Sequence, residues 1–195
     1  MYNEIAIYSL STFFLLFTCA KISYKLNLVD LPNKRKIHIK PAANTGGFAI
    51  IISLLFALQA LDIFDKTLGL IISISFLISI VGLIDDKFNL NTGGKLSLQI
   101  IPIFYLIVFE NLTLDHIGAY NHFILEIGSF TVPFTLLSVL FLTNAFNYFD
   151  GIDGTLSFTT ISVLVILYFL VPDKNFQLFL IMILIPIIIF LCFNF

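Results

Sequence analysis

The sequence holds no tryptophan, two cysteines and little charge, with 11% of its 195 residues Asp, Glu, Lys or Arg. Each shortage excludes something. A soluble domain carries roughly a quarter of its residues charged, so this chain is not one. Cys19 and Cys192 both lie in apolar stretches and no CxxC pair exists, which excludes a disulfide framework. They read instead as small hydrophobes. Without tryptophan, an interfacial aromatic belt must come from the seven Tyr and from Phe. Residues 1–20 lack the basic start and small-residue cleavage site of a signal peptide, so this first apolar run is expected to stay in the membrane. Nothing resembles a Ser-His-Asp triad, a zinc set or a phosphate-binding GxxxxGK[ST] loop.

What the chain has is apolar length. Hydrophobic residues make up 59% of it, and the mean hydropathy is +1.04. A bilayer core of about 30 Å takes about 20 apolar residues as a helix. By that measure the expectation is an all-α integral membrane protein, one multi-span domain over residues 1–195. The spans fall near 4–24, 46–61, 67–84, 96–110, 131–146, 155–171 and 176–193, about seven in all. Pro102 and Pro133 weaken the fourth and fifth, but a spanning helix tolerates proline where neighbours satisfy the freed carbonyl.

The basic residues choose sides. Lys21, Lys25, Lys34, Arg35, Lys36, Lys40, Lys87 and Lys95 fall at or in odd-numbered connections, and only Lys66 and Lys174 in even ones. The positive-inside rule makes the odd connections cytoplasmic and places the N-terminus outside. The segment 111–130 then faces outward, and its Gly-Ala-Tyr-Asn turn suggests a short hairpin on the outer surface. His116 and His122, in that segment, read as solvated loop histidines or, alternatively, as a metal pair.

Three odd connections carry the polar chemistry. The first, "LVDLPNKRKIHIKPAANTGGFAI", is kept from helix by Pro32 and Pro41 and concentrates Lys34, Arg35, Lys36, His38 and Lys40 beside the membrane. Its simplest reading is a topology signal with affinity for anionic lipid; a phosphate-binding patch is the alternative. The third, "GLIDDKFNLNTGGKL", places adjacent Asp85 and Asp86 at the mouth of a span and Lys95 at the start of the next. Adjacent carboxylates suit a hard cation such as Mg²⁺, or they cap a helix in solvent.

The fifth connection, "NAFNYFDGIDG", sets Asn144, Asn147, Asp150 and Asp153 three residues apart in turn. If the preceding span stays helical, the first three share a face. Ionisable groups near a bilayer are functional by default, and no Lys or Arg lies within this stretch. Together the connections fit a phosphorylated anionic substrate, a divalent cation and a lipid co-substrate. An ion channel or transporter lined by Asp85, Asp86 and Asp150 is a rival, disfavoured because no span carries a mid-membrane charge.

These stretches resemble a known family. "NAFNYFDGIDG" looks like the Asn-x-x-Asn-x-x-Asp-Gly-x-Asp-Gly signature of the polyprenyl-phosphate N-acetylhexosamine-1-phosphate transferases of glycosyltransferase family 4. "DDKFNL" followed by Lys95 looks like their Asp-Asp motif. "VDLPNKRKIHIKPAANTGG" is similar to the first cytoplasmic loop of the branch that starts O-antigen, enterobacterial common antigen or teichoic acid linkage units.

The resemblance implies transfer of a sugar-1-phosphate from a UDP-N-acetylhexosamine to undecaprenyl phosphate, releasing UMP, with Mg²⁺ (or Mn²⁺) as cofactor. It implies a bacterial inner-membrane enzyme of cell-envelope polysaccharide synthesis, including lipopolysaccharide, with its active-site loops in the cytoplasm. Membrane lipid is a partner, nucleic acid is not, and a homodimer is the one protein assembly allowed for. Asp85, Asp86 and Lys95 are the implied catalytic residues, one Asp proposed as base and Lys95 neutralising the donor diphosphate. Arg35, Lys36, His38, Asn144 and Asp153 are the implied substrate-binding residues, and Asn147 and Asp150 the metal-binding ones.

Two departures stand out. Ala43, Asn44 and Thr45 occupy positions where the family commonly has Pro-Arg before the glycine pair. The sequence also ends at "LCFNF", where members continue into a Gly-Asp loop, further spans and a His-bearing loop. The expectation drawn from this is a fragment resembling the N-terminal two-thirds of an enzyme, with weak or no turnover alone. Its alternative function is a non-catalytic remnant or subunit that keeps partial substrate or metal binding.

Overall fold

The computed structural model describes residues 2–30, 42–60, 66–120, 123–149 and 154–193. Seven helices run through them: α1 (Tyr2–Leu26), α2 (Gly46–Ala60), α3 (Lys66–Phe88), α4 (Thr92–Phe109), α5 (Thr131–Phe149), α6 (Thr155–Leu170) and α7 (Lys174–Phe193). Two antiparallel pairs complete the fold, β1 (Val29–Asp30) with β2 (Ala42–Ala43), and β3 (His116–Tyr120) with β4 (Phe123–Glu126). The all-α membrane architecture is thus present, with every expected apolar segment helical. Five helices are long and apolar enough to cross a membrane. The other two, α2 and α6, have 15 and 16 residues, which at 1.5 Å each fall short of a full bilayer core. Bulky side chains such as Phe141 and Phe169 are over 70% exposed. That is costly in water and natural against lipid.

Asparagine ends three of these helices. Asn27, Asn89 and Asn111 follow α1, α3 and near α4 with positive φ of 55°, 49° and 53°, the left-handed conformation Asn tolerates better than other side chains. After α1 the Leu28 amide donates to the Ser23 carbonyl at 2.9 Å, closing a Schellman-type end. Gly154 opens α6 at φ 77°, as a glycine there permits.

The described residues form two compact units. One comprises residues up to Asn89 together with those from Phe149 onward, and the other Leu90–Tyr148. In the first, α2 packs against α1, α3 and α7. Thr45, Ala49, Ser53 and Ala57 recur every four residues and are all buried, a row of small side chains that allows close helix approach where lipid removes any hydrophobic drive. Gly46 extends this logic: a Cβ there would lie 2.2 Å from the Phe190 ring of α7. The core gathers Tyr8, Ile51, Leu54, Leu68, Ile72, Phe179 and Met182.

One polar contact in this core has a clear cause. Pro186 sits inside α7 and has no N–H, so the Met182 carbonyl one turn earlier loses its helical donor. The Tyr8 hydroxyl of α1 donates to that carbonyl at 3.0 Å. A buried carbonyl without a partner is expensive in lipid, and Tyr8 removes the cost.

In the second unit, α4 and α5 are joined by the β3–β4 hairpin. Register pairs Gly118 with Leu125, Ala119 with Ile124 and Tyr120 with Phe123, with an irregularity between His116 and Gly118. The expected hairpin is therefore present, but Gly118, Ala119 and Tyr120 of the expected turn belong to strand β3, and Asn121 lies outside the described residues. Pro133 lies in the first turn of α5, where its missing N–H costs nothing. Pro102 is buried within α4.

Candidate functional site

Asp85 and Asp86 are not in a loop after a span, as the hydropathy boundary at residue 84 implied. The helix α3 continues to Phe88, so both carboxylates project from its last turn. Asp85 is half-buried and Asp86 exposed. A helix C-terminus carries negative potential, which disfavours acids there by roughly 0.3–1 kcal/mol each. Two acids at that end make a place that favours a cation.

Lys95 shows the mirror arrangement. It lies in the first turns of α4, half-buried, at the end where the helix potential is positive. The Asn91 side chain caps this helix by accepting from the Gly94 amide at 2.7 Å. A Cβ at Gly94 would stand 2.9 Å from that Asn91 oxygen, so glycine is what lets the cap close. The ammonium and the helix N-terminus both attract an anion.

Asn144 and Asn147 lie one turn apart on α5 and share a face, as their spacing predicts. Asn147 is exposed, and its side chain makes no hydrogen bond among the described residues. Asn144 is half-buried. Its Nδ2 donates to the Leu140 carbonyl at 2.8 Å and to Gln99 Oε1 at 3.1 Å. The Leu140 carbonyl can only accept, which fixes Nδ2 toward it and requires the oxygen of Gln99 to face Asn144.

Gln99 is the residue that sequence reasoning missed. It is 3% exposed and lies one turn beyond Lys95 on α4, so the two share a face. The signal was available: an amide inside the span expected at 96–110, four residues after a lysine. Its bond to Asn144 brings the Lys95 end of α4 to the Asn147 end of α5, within one unit.

The first connection is described only at its base. Val29 pairs with Ala43 and Asp30 with Ala42. The Asn44 amide donates to the Leu28 carbonyl at 3.1 Å, Ser23 Oγ donates to the same carbonyl, and Thr45 Oγ1 donates to the Cys19 carbonyl at 3.1 Å. Ala43, Asn44 and Thr45, where a cation was missed, thus serve to close this base. Of the glycine pair, only Gly46 meets a close neighbour; Gly47 has open space around it. Arg35, Lys36, His38, Asp150 and Asp153 lie outside the described residues, as does His122 of the histidine pair. Among the described residues no group of three or more His, Cys, Asp or Glu side chains could hold a metal.

With this geometry in hand, the likeness to known proteins is specific. Residues 68–195 match the family model of glycosyl transferase family 4, a range holding Asp85, Asp86, Lys95, Gln99, Asn144 and Asn147. A probable undecaprenyl-phosphate N-acetylglucosaminyl 1-phosphate transferase of Bacillus subtilis is 32% identical over 136 residues, covering 69% of this chain and 38% of its own. An undecaprenyl-phosphate alpha-N-acetylglucosaminyl 1-phosphate transferase of Escherichia coli O157:H7 is 31% identical over 153 residues, covering 78% and 41%. The Yersinia pestis protein of that name is 30% identical over 142 residues, covering 72% and 39%. The chain therefore matches 38–41% of the length of these relatives. No solved structure matches it.

Proposed function

The chain belongs to glycosyl transferase family 4, and on that premise we propose that it transfers N-acetylhexosamine-1-phosphate from a UDP-sugar to undecaprenyl phosphate, releasing UMP. The reaction would serve cell-envelope polysaccharide synthesis at the bacterial inner membrane, with the motif-bearing connections in the cytoplasm. The observation that carries this reading is the family match itself, because it spans both the Asp-Asp stretch and "NAFNYFDGIDG". The relatives' names favour a transferase over a non-catalytic remnant.

The donor's diphosphate is the anion suited to Lys95 and the N-terminus of α4. Asn144, held by Gln99 and Leu140, is preset to accept through its remaining amide oxygen, a partner for a sugar or nucleotide donor group. Arg35, Lys36, His38 and Asp153 complete the substrate contacts in this reading. Asp85 and Asp86 act at the acceptor phosphate, one of them positioning it or taking its proton. A phosphate monoester is already largely ionised near neutral pH, so positioning is the larger part of that role.

Mg²⁺ (or Mn²⁺) fits the donor set. The available ligands are hard carboxylate and amide oxygens, and the exposed Asn147 side-chain amide makes no hydrogen bond among the described residues. Asn147 and Asp150 are the residues that would hold it. When bound, the ion neutralises charge on the phosphoryl group in transfer.

The test is UMP release by membranes carrying the chain, supplied with undecaprenyl phosphate, Mg²⁺ and either UDP-N-acetylglucosamine or UDP-N-acetylgalactosamine. UMP formed in step with a lipid-linked sugar, and abolished by EDTA, is the expected result. No lipid-linked product from either donor overturns the transferase reading of these residues and leaves the non-catalytic alternative that keeps partial substrate or metal binding.

A further inference from the structure

Between its root and its turn the β3–β4 hairpin carries no charged side chain among the described residues: 117–120 read Ile-Gly-Ala-Tyr and 123–125 read Phe-Ile-Leu. Alternation along β4 puts Phe123 and Leu125 on one side and Ile124 on the other. These three are 58%, 43% and 58% exposed, and Ile117 of β3 is 57% exposed. Their cross-strand partners add no charge, since Ala119 opposes Ile124 and Gly118 opposes Leu125, and the polar pair of His116 with Glu126 is confined to the root. An antiparallel ribbon resting on an aqueous surface keeps one polar face toward water, and an isolated two-stranded ribbon is marginal there.

Its root is fixed at the level of a membrane-spanning helix. The Leu114 amide, two residues before β3, donates to Thr135 Oγ1 at 2.9 Å. Thr135 is four residues past the start of α5, about 6 Å along its axis. The Ile127 amide donates to the Asp115 carbonyl at 2.9 Å, tying both strand ends together. Beyond Ile127 the chain enters the apolar stretch Gly128–Tyr148 directly. The apolar ribbon is therefore continuous with lipid-facing helix surface.

Backbone chemistry limits how deep it can go. Two strands leave two open edges, and unpaired amides and carbonyls do not survive in hydrocarbon. Asp115, His116 and Glu126 at the root are exposed and need water or headgroups as well. Apolar faces and polar edges are satisfied together only at the boundary between headgroups and acyl chains.

We propose that the hairpin is a lipid-interface anchor, immersed on both faces in the headgroup–acyl boundary at the end of α4 and α5 opposite Lys95 and Asn147. The absence of tryptophan provides the test, since one introduced indole is the only one in the protein. Ile124→Trp and Leu125→Trp report opposite faces. Each is reconstituted in vesicles of phosphatidylethanolamine and phosphatidylglycerol with acyl chains brominated near the headgroup or near the terminal methyl.

Both indoles are expected to emit blue-shifted, to be quenched severalfold more by shallow than by deep bromine, and to resist acrylamide. Emission as in water with strong acrylamide quenching at either position overturns immersion on both faces. Blue-shifted emission indifferent to bromine overturns it too, showing a protein cover such as a second copy of the chain. If Leu125→Trp fails to fold, Phe123→Trp reports the same face.

Discussion

The two ends of the α4–α5 pair are built on opposite terms. At one end Lys95, Gln99, Asn144 and Asn147 place charge and amides where an apolar helix would rather have none, and Lys95 sits against the sign of its own helix end. At the other end Ile117, Ile124 and Leu125 are exposed on a ribbon pinned by Thr135 and Asp115. The first end gives up local stability by keeping these groups there, and in the function proposed above they meet the donor. The second spends its hydrogen bonds on staying in place. Substitutions should therefore separate cleanly: rate at the polar end, stability at the hairpin end.

The largest effect is expected next to the polar end in sequence, at Asp86. Asp86→Asn keeps the shape and removes the charge, and UMP release should fall by on the order of 10³-fold, the scale of losing a charge aimed at a reacting phosphoryl group. Turnover near normal would take Asp86 out of the reaction. A smaller loss is expected at Gln99. Gln99→Leu deletes the acceptor for Asn144, and one lost positioning bond of about 1.4 kcal/mol is roughly tenfold in kcat/KM. The melting temperature of Gln99→Leu in detergent should stay put, because Asn144 Nδ2 keeps the Leu140 carbonyl as acceptor. A drop in melting temperature that matches the drop in rate would make Gln99 a structural residue only.

The hairpin end should show the reverse, and the smallest effect on rate. Thr135→Val is nearly isosteric but leaves the Leu114 amide without its acceptor, a cost of about 1 kcal/mol. Thermal unfolding should register that loss while kcat is unchanged. A slowed reaction at unchanged stability would break the contrast between the two ends.

Hydropathy located all seven helices because bilayer length is a coarse requirement that apolar runs satisfy visibly, and α7 at Lys174–Phe193 lies within two residues of its expected span. It misplaced the end of α3. Hydropathy marks where apolar side chains stop, whereas hydrogen bonding carries the helix through Asp85, Asp86 and Lys87 to Phe88. The strands β1 and β2 were invisible for a different reason. Two residues each carry no period, and their pairing rests on contacts from Ser23, Leu28 and Asn44 that only the folded chain supplies. The shared face of Asn144 and Asn147 could be read from spacing alone. Gln99 stood out only as an amide inside a span, and its partner Asn144 could be assigned only once the helix opposite it was known.

The clasp of Val29 and Asp30 on Ala42 and Ala43 joins the end of α1 to the start of α2. That joint rests on backbone pairing and on the side chains of Ser23 and Thr45, all outside the basic segment 31–41. Charge substitutions within 31–41 therefore leave in place the bonds that hold the end of α1 to the start of α2.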